Sequence, residues 1–109
     1  MGKPTLTPAL LALIAERFKA LAEPARLHIL ATLRAGEMTV GELATAVEFS
    51  QANVSKHLQV LHAQQFVSRR KDGLFVRYAL ADRSVFQLCD LMCGRIEAEA
   101  RARRKLLAV

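Results

Sequence analysis

Residues 50–61 read Ser50-Gln-Ala-Asn-Val-Ser-Lys-His-Leu-Gln-Val-Leu61, and this stretch decides how the rest of the chain is interpreted. Val54, Leu58 and Leu61 recur at spacings of four and three residues, which place them on one face of an α-helix. Ser50 stands directly before this pattern, where its hydroxyl can cap free backbone N–H groups. The stretch therefore predicts a capped helix with one apolar face.

The other face of this helix carries short and medium-length hydrogen-bonding side chains. It lacks the Glu–Lys pairs that a solvated helix more often has. Such a face suits a helix that lies in the DNA major groove and contacts base edges and phosphates. A polar surface helix is the alternative interpretation. The candidate DNA-reading residues are Gln51, Asn53, Ser55, Lys56, His57 and Gln59.

Composition narrows the class of protein. The chain has 109 residues, 52% of them hydrophobic, which is enough for one compact domain over residues 1–109 with a modest aliphatic core. A formal net charge of +6 favours a polyanionic partner, nucleic acid before an anionic membrane. No apolar run approaches the roughly 18 residues that span a bilayer. We therefore expect no membrane partner, a cytoplasmic location and reduced cysteines.

Residues 1–65 divide into a tail and four helices. Residues 1–6 are predicted to be a loose tail, and Thr7-Pro8 begins a first helix that runs to about residue 22. A second helix is predicted over residues 26–35, where Gly36 ends it. Thr39 and Glu42 have capping-box spacing for a short third helix. Residues 39–65 therefore predict a helix-turn-helix whose second helix enters the groove.

A basic β-hairpin is predicted directly after these helices, over residues 66–80. Lys71-Asp72-Gly73 supplies the turn between two runs of β-forming residues. A basic hairpin in this position is typical of a winged helix-turn-helix, in which the wing contacts the phosphate backbone or the minor groove. An ordinary solvated hairpin is the alternative. The candidate wing contacts are Arg69, Arg70 and Arg77.

A last helix is predicted over residues 83–106, with Asp82 as its cap. It has an apolar stripe and is too long to be covered by a domain of this size. We expect it to pack against its copy, together with the first helix, in a homodimer that matches a pseudo-palindromic operator. The predicted architecture is thus mainly α: four helices, a two-stranded wing and a fifth, dimerising helix. The stripe contains Val85, Leu88, Cys89, Met92, Cys93, Ile96 and Ala100.

The chain resembles the ArsR-type (ArsR/SmtB) winged-helix repressors, a family of small dimeric bacterial metal and redox sensors. The resemblance covers nearly all of residues 18–106. It implies a homodimer that binds an operator and leaves it when an effector arrives, with the recognition-helix and wing residues named above as the matching positions. The stretches that carry it are Phe18-Lys-Ala-Leu-Ala-Glu-Pro-Ala-Arg-Leu-His-Ile-Leu30, Glu42-Leu-Ala44, Ser50-Gln-Ala-Asn-Val-Ser-Lys-His-Leu58 and Gly73-Leu-Phe-Val-Arg-Tyr-Ala-Leu80.

The sequence departs from this family at its two common metal sites. The segment Val40-Gly-Glu-Leu-Ala-Thr-Ala46 lacks the Cys-x-Cys cluster of arsenite and cadmium sensors, and residues 83–109 lack the histidines of zinc and cobalt sensors. Cys89 and Cys93 remain, four residues apart on one helix. They could hold a soft metal or metalloid, or act as a thiol-oxidation or persulfide switch. Free cysteine is also a common packing residue.

Three functional classes compete. The first is a repressor released by an effector, and a variant of it is a regulator of the same fold with no thiol or metal effector. The second is a non-specific DNA-binding protein. The third is an enzyme. The sequence contains no Gly-rich phosphate loop, no Cys–His arrangement with an orienting third group and no paired carboxylates in a cleft. We therefore expect no catalytic activity.

Overall fold

A computed structural model describes residues 2–108 and has the mainly helical architecture predicted from the sequence. Met1 and Val109, which belong to the predicted domain, lie outside the described residues. Residues 2–6 form neither helix nor strand. In chain order the elements are α1 (Pro8–Leu21), α2 (Pro24–Thr32), a 3-10 turn (Leu33–Ala35), β1 (Met38–Thr39), α3 (Val40–Val47), α4 (Gln51–Ala63), β2 (Val67–Asp72), β3 (Phe75–Leu80) and α5 (Val85–Leu107).

The predicted helix starts are confirmed for α1, α3 and α4. Thr7 Oγ1 accepts a hydrogen bond from the Leu10 N–H at 3.2 Å, with Pro8 at the first helical position. Thr39 and Glu42 form a complete capping box at the start of α3. Ser50 Oγ accepts from the Asn53 N–H at 3.1 Å. Local side-chain chemistry thus fixes where both helices of the helix-turn-helix begin.

A short turn joins α3 to α4 and sets the angle at which the second helix leaves the first. Glu48 adopts a left-handed conformation with φ of 61°. The Phe49 N–H then donates to the Ala44 carbonyl at 3.1 Å, as in the helix-ending motifs that usually employ glycine. Helix α3, this turn and α4 therefore form a helix-turn-helix, with α4 as its second helix.

The sheet has one strand more than predicted. The additional strand is β1, which has only two residues. It pairs antiparallel with β3, so that Met38 lies opposite Tyr78. The strand order is β1-β3-β2. The hairpin loop also differs, because Asp72 pairs with Phe75 and the loop is Gly73-Leu74 alone. Gly73 has φ of 61°, which a glycine adopts without strain at the first loop position of a tight hairpin.

The second and fifth helices differ slightly from their predicted bounds. The helical hydrogen bonding of α2 ends at Thr32 and continues as the 3-10 turn up to Gly36. Asp82 was predicted to cap α5, and this prediction is wrong, because the N-cap is Ser84. Asp82 Oδ1 instead accepts from the Ser84 N–H at 2.9 Å and from its hydroxyl. Asp82 therefore forms a turn that leads into the helix.

The core lies where α2, α3, α4 and the base of the sheet meet. Val54, Leu58 and Leu61, the predicted apolar face of α4, are fully buried. Ile29 of α2 and Leu43 of α3 are buried with them. Burial of one face of α4 leaves its opposite face free, and this is the face that carries the candidate DNA-reading side chains.

Helices α1 and α5 contribute little to this core. Of the 23 residues of α5 only Val85 is buried, whereas Leu91, Met92 and Ile96 are each at least 66% exposed. In α1, Leu13 is 65% and Phe18 is 55% exposed. The radius of gyration is 17.4 Å, against about 13 Å for a compact domain of this length. Two helices with apolar faces therefore extend from the body of the chain.

Candidate nucleic-acid interface

The predicted DNA-reading side chains lie together on the free face of α4. Gln51, Asn53, Lys56 and Gln59 are exposed, and Ser55 and His57 are half-buried. Asn53, Lys56, His57 and Gln59 border an open cleft of about 560 Å³ that Arg26 of α2 closes on one side. The described structure thus presents a row of donors and acceptors on a helix held rigidly from behind by buried aliphatic residues.

Within residues 2–108, His57 is the one predicted DNA-reading residue whose side chain hydrogen-bonds to another element. The Nε of Arg26 donates to the Nδ1 of His57 at 3.1 Å. The same guanidinium donates from Nη1 to the backbone carbonyls of Lys19 and Ala20, at 3.2 and 3.4 Å. Sequence reasoning did not single out Arg26, because its partner lies 31 residues further along the chain.

Two of the three predicted wing arginines are engaged in ion pairs. Arg70 of β2 makes a two-pronged contact with Glu37, in which its Nε lies 3.0 Å from Oε2 and its Nη2 contacts Oε1. Arg77 of β3 donates from Nε to Asp72 at 2.8 Å and lies 3.5 Å from Glu42 of the third helix. The wing is therefore connected electrostatically to the start of α3.

The carboxylates of this network stay ionised at neutral pH. The hydrogen bond from Arg70 lowers the pKa of Glu37, and that from Arg77 lowers the pKa of Asp72. The pKa of Glu42 is lowered chiefly by the backbone N–H of Thr39 in the capping box. Folding lowers the pKa values of these three carboxyl groups. The ion pairs therefore stabilise the fold fully at a pH above the ordinary pKa of a free carboxyl group, and this stabilisation is lost as the pH falls through the lowered pKa values.

Arg69 and Lys71 occupy the opposite face of the hairpin. Arg69 lies opposite Tyr78 and Lys71 opposite Val76, whereas Arg70 lies opposite Arg77. Both side chains are exposed, and within residues 2–108 neither takes part in an ion pair. Arg69 is thus the predicted wing arginine whose charge is free, and Lys71 adds a second free charge beside it.

The two cysteines lie along the exposed side of α5. Cys89 is half-buried and Cys93 is exposed, and both are free thiols. Cys89 also borders an apolar groove of about 450 Å³ with Phe18, Leu27 and Met92. Among the described residues no three His, Cys, Asp or Glu side chains gather into a group that could hold a metal ion.

None of the described helices is both long and apolar enough to cross a bilayer.

Comparison with known proteins places this fold in a family. Residues 23–69 match the model of the bacterial regulatory proteins of the arsR family. The transcriptional repressor SmtB homolog of Synechocystis sp. is 41% identical over 75 residues. That match covers 69% of this chain but only 57% of the relative.

Two solved structures are similar to this chain over most of its length. NolR from Sinorhizobium fredii is 35% identical with a TM-score of 0.73, and the match covers 84% of this chain and 95% of NolR. The homodimeric winged helix-turn-helix domain of Mb0332 from Mycobacterium bovis is 33% identical, also with a TM-score of 0.73, over 89% of this chain and 90% of that one. The matching family is one of transcriptional regulators and not of enzymes. The chain belongs to the ArsR family of bacterial regulatory proteins, with the fold of a winged helix-turn-helix.

Proposed function

We propose that the chain is one winged-helix domain that represses transcription by binding a specific operator as a homodimer. The observation that carries the proposal is the division of α4 into two faces. Val54, Leu58 and Leu61 are fully buried, and the opposite face presents donors and acceptors, chiefly exposed, with no competing carboxylate. A rigid helix with such a face can form hydrogen bonds to base edges in the major groove. We also propose that it acts in the cytoplasm, because its family is one of bacterial regulatory proteins and bacterial DNA lies there.

The exposed apolar faces of α1 and α5 support the dimer. Leu13 of α1 and Met92 and Ile96 of the α5 stripe are each at least 65% exposed. Exposed apolar side chains along a helix face are typical of an interface. A two-fold dimer would place two copies of α4 in successive major grooves of a pseudo-palindromic operator.

We propose that the wing contacts phosphate through Arg69, with Lys71 beside it. Arg70 and Arg77 were predicted to make such contacts as well. Their ion pairs with Glu37, Asp72 and Glu42 favour a different contribution, since a carboxylate offsets the charge of a paired guanidinium and occupies some of the N–H groups that could bind a phosphate. In this view Arg70 and Arg77 hold the wing against α3, while Arg69 supplies the free charge.

The salt dependence of DNA binding tests this division. Arg69→Ala is expected to lower affinity for all duplexes and to reduce the slope of log K against log salt by about one, the contribution of one phosphate contact. Arg70→Ala is the matched control on the adjacent strand position and is expected to change the slope by much less. Equal changes in slope for the two variants would contradict the division.

We propose further that an effector acts on Cys89 and Cys93. The thiols are one helical turn apart, accessible in the described chain and located on the proposed dimerisation helix. Thiolates prefer soft ions, among them trivalent arsenic and antimony. A trihydroxide of either element would exchange a hydroxide for each thiol and release water, with no change in oxidation state. A second copy of α5 could supply further thiolates.

DNA-binding anisotropy in reductant, with and without arsenite or antimonite, tests the thiol proposal. The wild-type protein is expected to leave the operator on addition of the metalloid. The Cys89→Ser, Cys93→Ser double variant is expected to bind with unchanged affinity and to stay bound. Release of the double variant would contradict the proposal, and a variant that loses its dimer would show that the cysteines are packing residues. If an organic polysulfide releases the wild-type protein and neither metalloid does, the effector acts by forming a persulfide on the cysteines and not by metalloid binding.

Selection from a random duplex library tests the proposed function itself. A sequence-specific repressor is expected to enrich one pseudo-palindromic motif and to prefer it over scrambled DNA at moderate salt by a factor of roughly 1000 or more. A non-specific DNA-binding protein would enrich no motif, because its affinity is the phosphate term alone. If no motif is enriched, the proposal of a sequence-specific repressor is wrong and the chain is a non-specific DNA-binding protein.

A further inference from the structure

The contact between Arg26 and His57 joins three helices at one point. Arg26 lies in the first turn of α2, and its guanidinium reaches the carbonyls of Lys19 and Ala20 at the end of α1. Its Nε donates to the Nδ1 of His57 on the DNA-facing side of α4. Because the guanidinium is planar and bonded on two sides, it holds the imidazole in one orientation.

This contact determines which nitrogen of His57 carries the proton. A guanidinium has only donors, so the nitrogen that it contacts must accept. The Nδ1 of His57 therefore has no proton, and the neutral ring carries its proton on Nε2. His57 lines the open cleft together with Asn53 and Lys56. Its ring is thus available to DNA as an N–H donor at Nε2.

We propose that Arg26 is a specificity-determining positioning residue, which presents the Nε2–H of His57 to a hydrogen-bond acceptor on the DNA. In the major groove such acceptors are the N7 atoms of purines, O6 of guanine and O4 of thymine, and on the backbone they are phosphate oxygens. Without Arg26 the imidazole could carry its proton on either nitrogen and could rotate. Arg26 therefore acts through His57 rather than by contacting DNA. The inference rests on the proposed function.

The tautomer of His57 can be measured directly in the 109-residue chain. Long-range ¹H–¹⁵N correlation spectra distinguish a protonated from an unprotonated imidazole nitrogen. The wild-type protein is expected to show a protonated Nε2 and an unprotonated Nδ1, and Arg26→Met is expected to show a mixture. A wild-type ring protonated at Nδ1 would overturn the inference whether or not any variant folds.

A double-mutant cycle measures the coupling between the two residues. Arg26→Met and His57→Ala are each expected to weaken binding to the selected motif about 10-fold or more, the loss expected for one base contact. If Arg26 acts through His57, the double variant is expected to bind about as well as either single variant. Arg83→Met, which removes one positive charge from an exposed side chain, is the control for charge alone. Fully additive losses would overturn the inference.

Modified DNA identifies the acceptor. A 7-deazapurine removes the N7 of one base, 2-aminopurine removes the O6 of one guanine, 5-methyl-2-pyrimidinone removes the O4 of one thymine, and a methylphosphonate removes the charge of one phosphate. One such change is expected to lower the DNA affinity of the wild-type protein but not that of His57→Ala. The position of that change shows whether His57 contacts a base or the backbone. If every change weakens both proteins equally, His57 contacts no DNA acceptor and the inference is wrong. A wild-type protein that selects no motif would overturn the proposed function instead, while the tautomer measurement would still test the contact.

Discussion

Ile96→Glu is expected to convert the protein to monomers and to lower its affinity for its selected duplex by roughly 100-fold or more. Ile96 is 66% exposed in the described chain, so the substitution leaves the core untouched. In the proposed dimer it would bury a carboxylate in an apolar interface, which strongly opposes association. The monomer would then lose the advantage of binding two linked half-sites, typically a factor of 100 or more.

Gln87→Glu is the matched control for this experiment. Gln87 is exposed and lies nine residues before Ile96 on α5, which places it on the opposite side of the helix. The control adds the same charge to the same helix away from the proposed interface. Sedimentation equilibrium is expected to give a dimer for wild type and Gln87→Glu and a monomer for Ile96→Glu. A dimeric Ile96→Glu with full affinity would show that α5 is not the interface.

Lys56→Ala is expected to weaken binding to the selected duplex about 10- to 100-fold, while the dimer and the melting temperature stay unchanged. Lys56 is exposed on the free face of α4, so its removal costs no packing. A lost base contact is worth about 1–3 kcal/mol. The loss should be much smaller on scrambled DNA, where α4 reads no bases.

Lys19→Ala controls for the loss of one positive charge. Lys19 lies near the end of α1, where its ammonium pairs with Glu16 at 3.3 Å, and it is 74% exposed. Competition titrations with specific and scrambled duplexes are expected to separate the two variants, since only Lys56→Ala should reduce the ratio of the two affinities. If Lys56→Ala leaves both affinities unchanged, α4 is not the recognition helix.

Local sequence signals predicted most of the fold because they act over a few residues. The hydroxyls of Thr39 and Ser50 cap the helices that follow them, and the buried face of α4 follows the spacing of its apolar residues. Strand β1 was not predicted, because two residues are too few to show the alternation of apolar and polar side chains that marks a strand. They form a strand only by pairing with β3. Asp82 was assigned as a cap from its residue type, although its carboxylate stabilises the preceding turn.

The candidate site was predictable as a set of residues but not as a set of contacts. The sequence placed six polar side chains on α4, and their common free face follows from helical spacing. The partners of the basic residues could not be read in the same way. Arg70 meets Glu37 across 33 residues and Arg26 meets His57 across 31. Such contacts depend on how the elements pack, so the free charge of Arg69 and the fixed orientation of His57 emerge only in three dimensions.

The most direct test of the central claim is a competition titration of the wild-type dimer, by anisotropy, against its selected motif and a scrambled duplex of the same length and composition. A sequence-specific repressor is expected to require roughly 1000-fold or more scrambled competitor for equal displacement. The stoichiometry is expected to be one dimer per pseudo-palindrome. Equal displacement by both duplexes would contradict sequence-specific recognition and leave a protein that binds DNA through its charge alone.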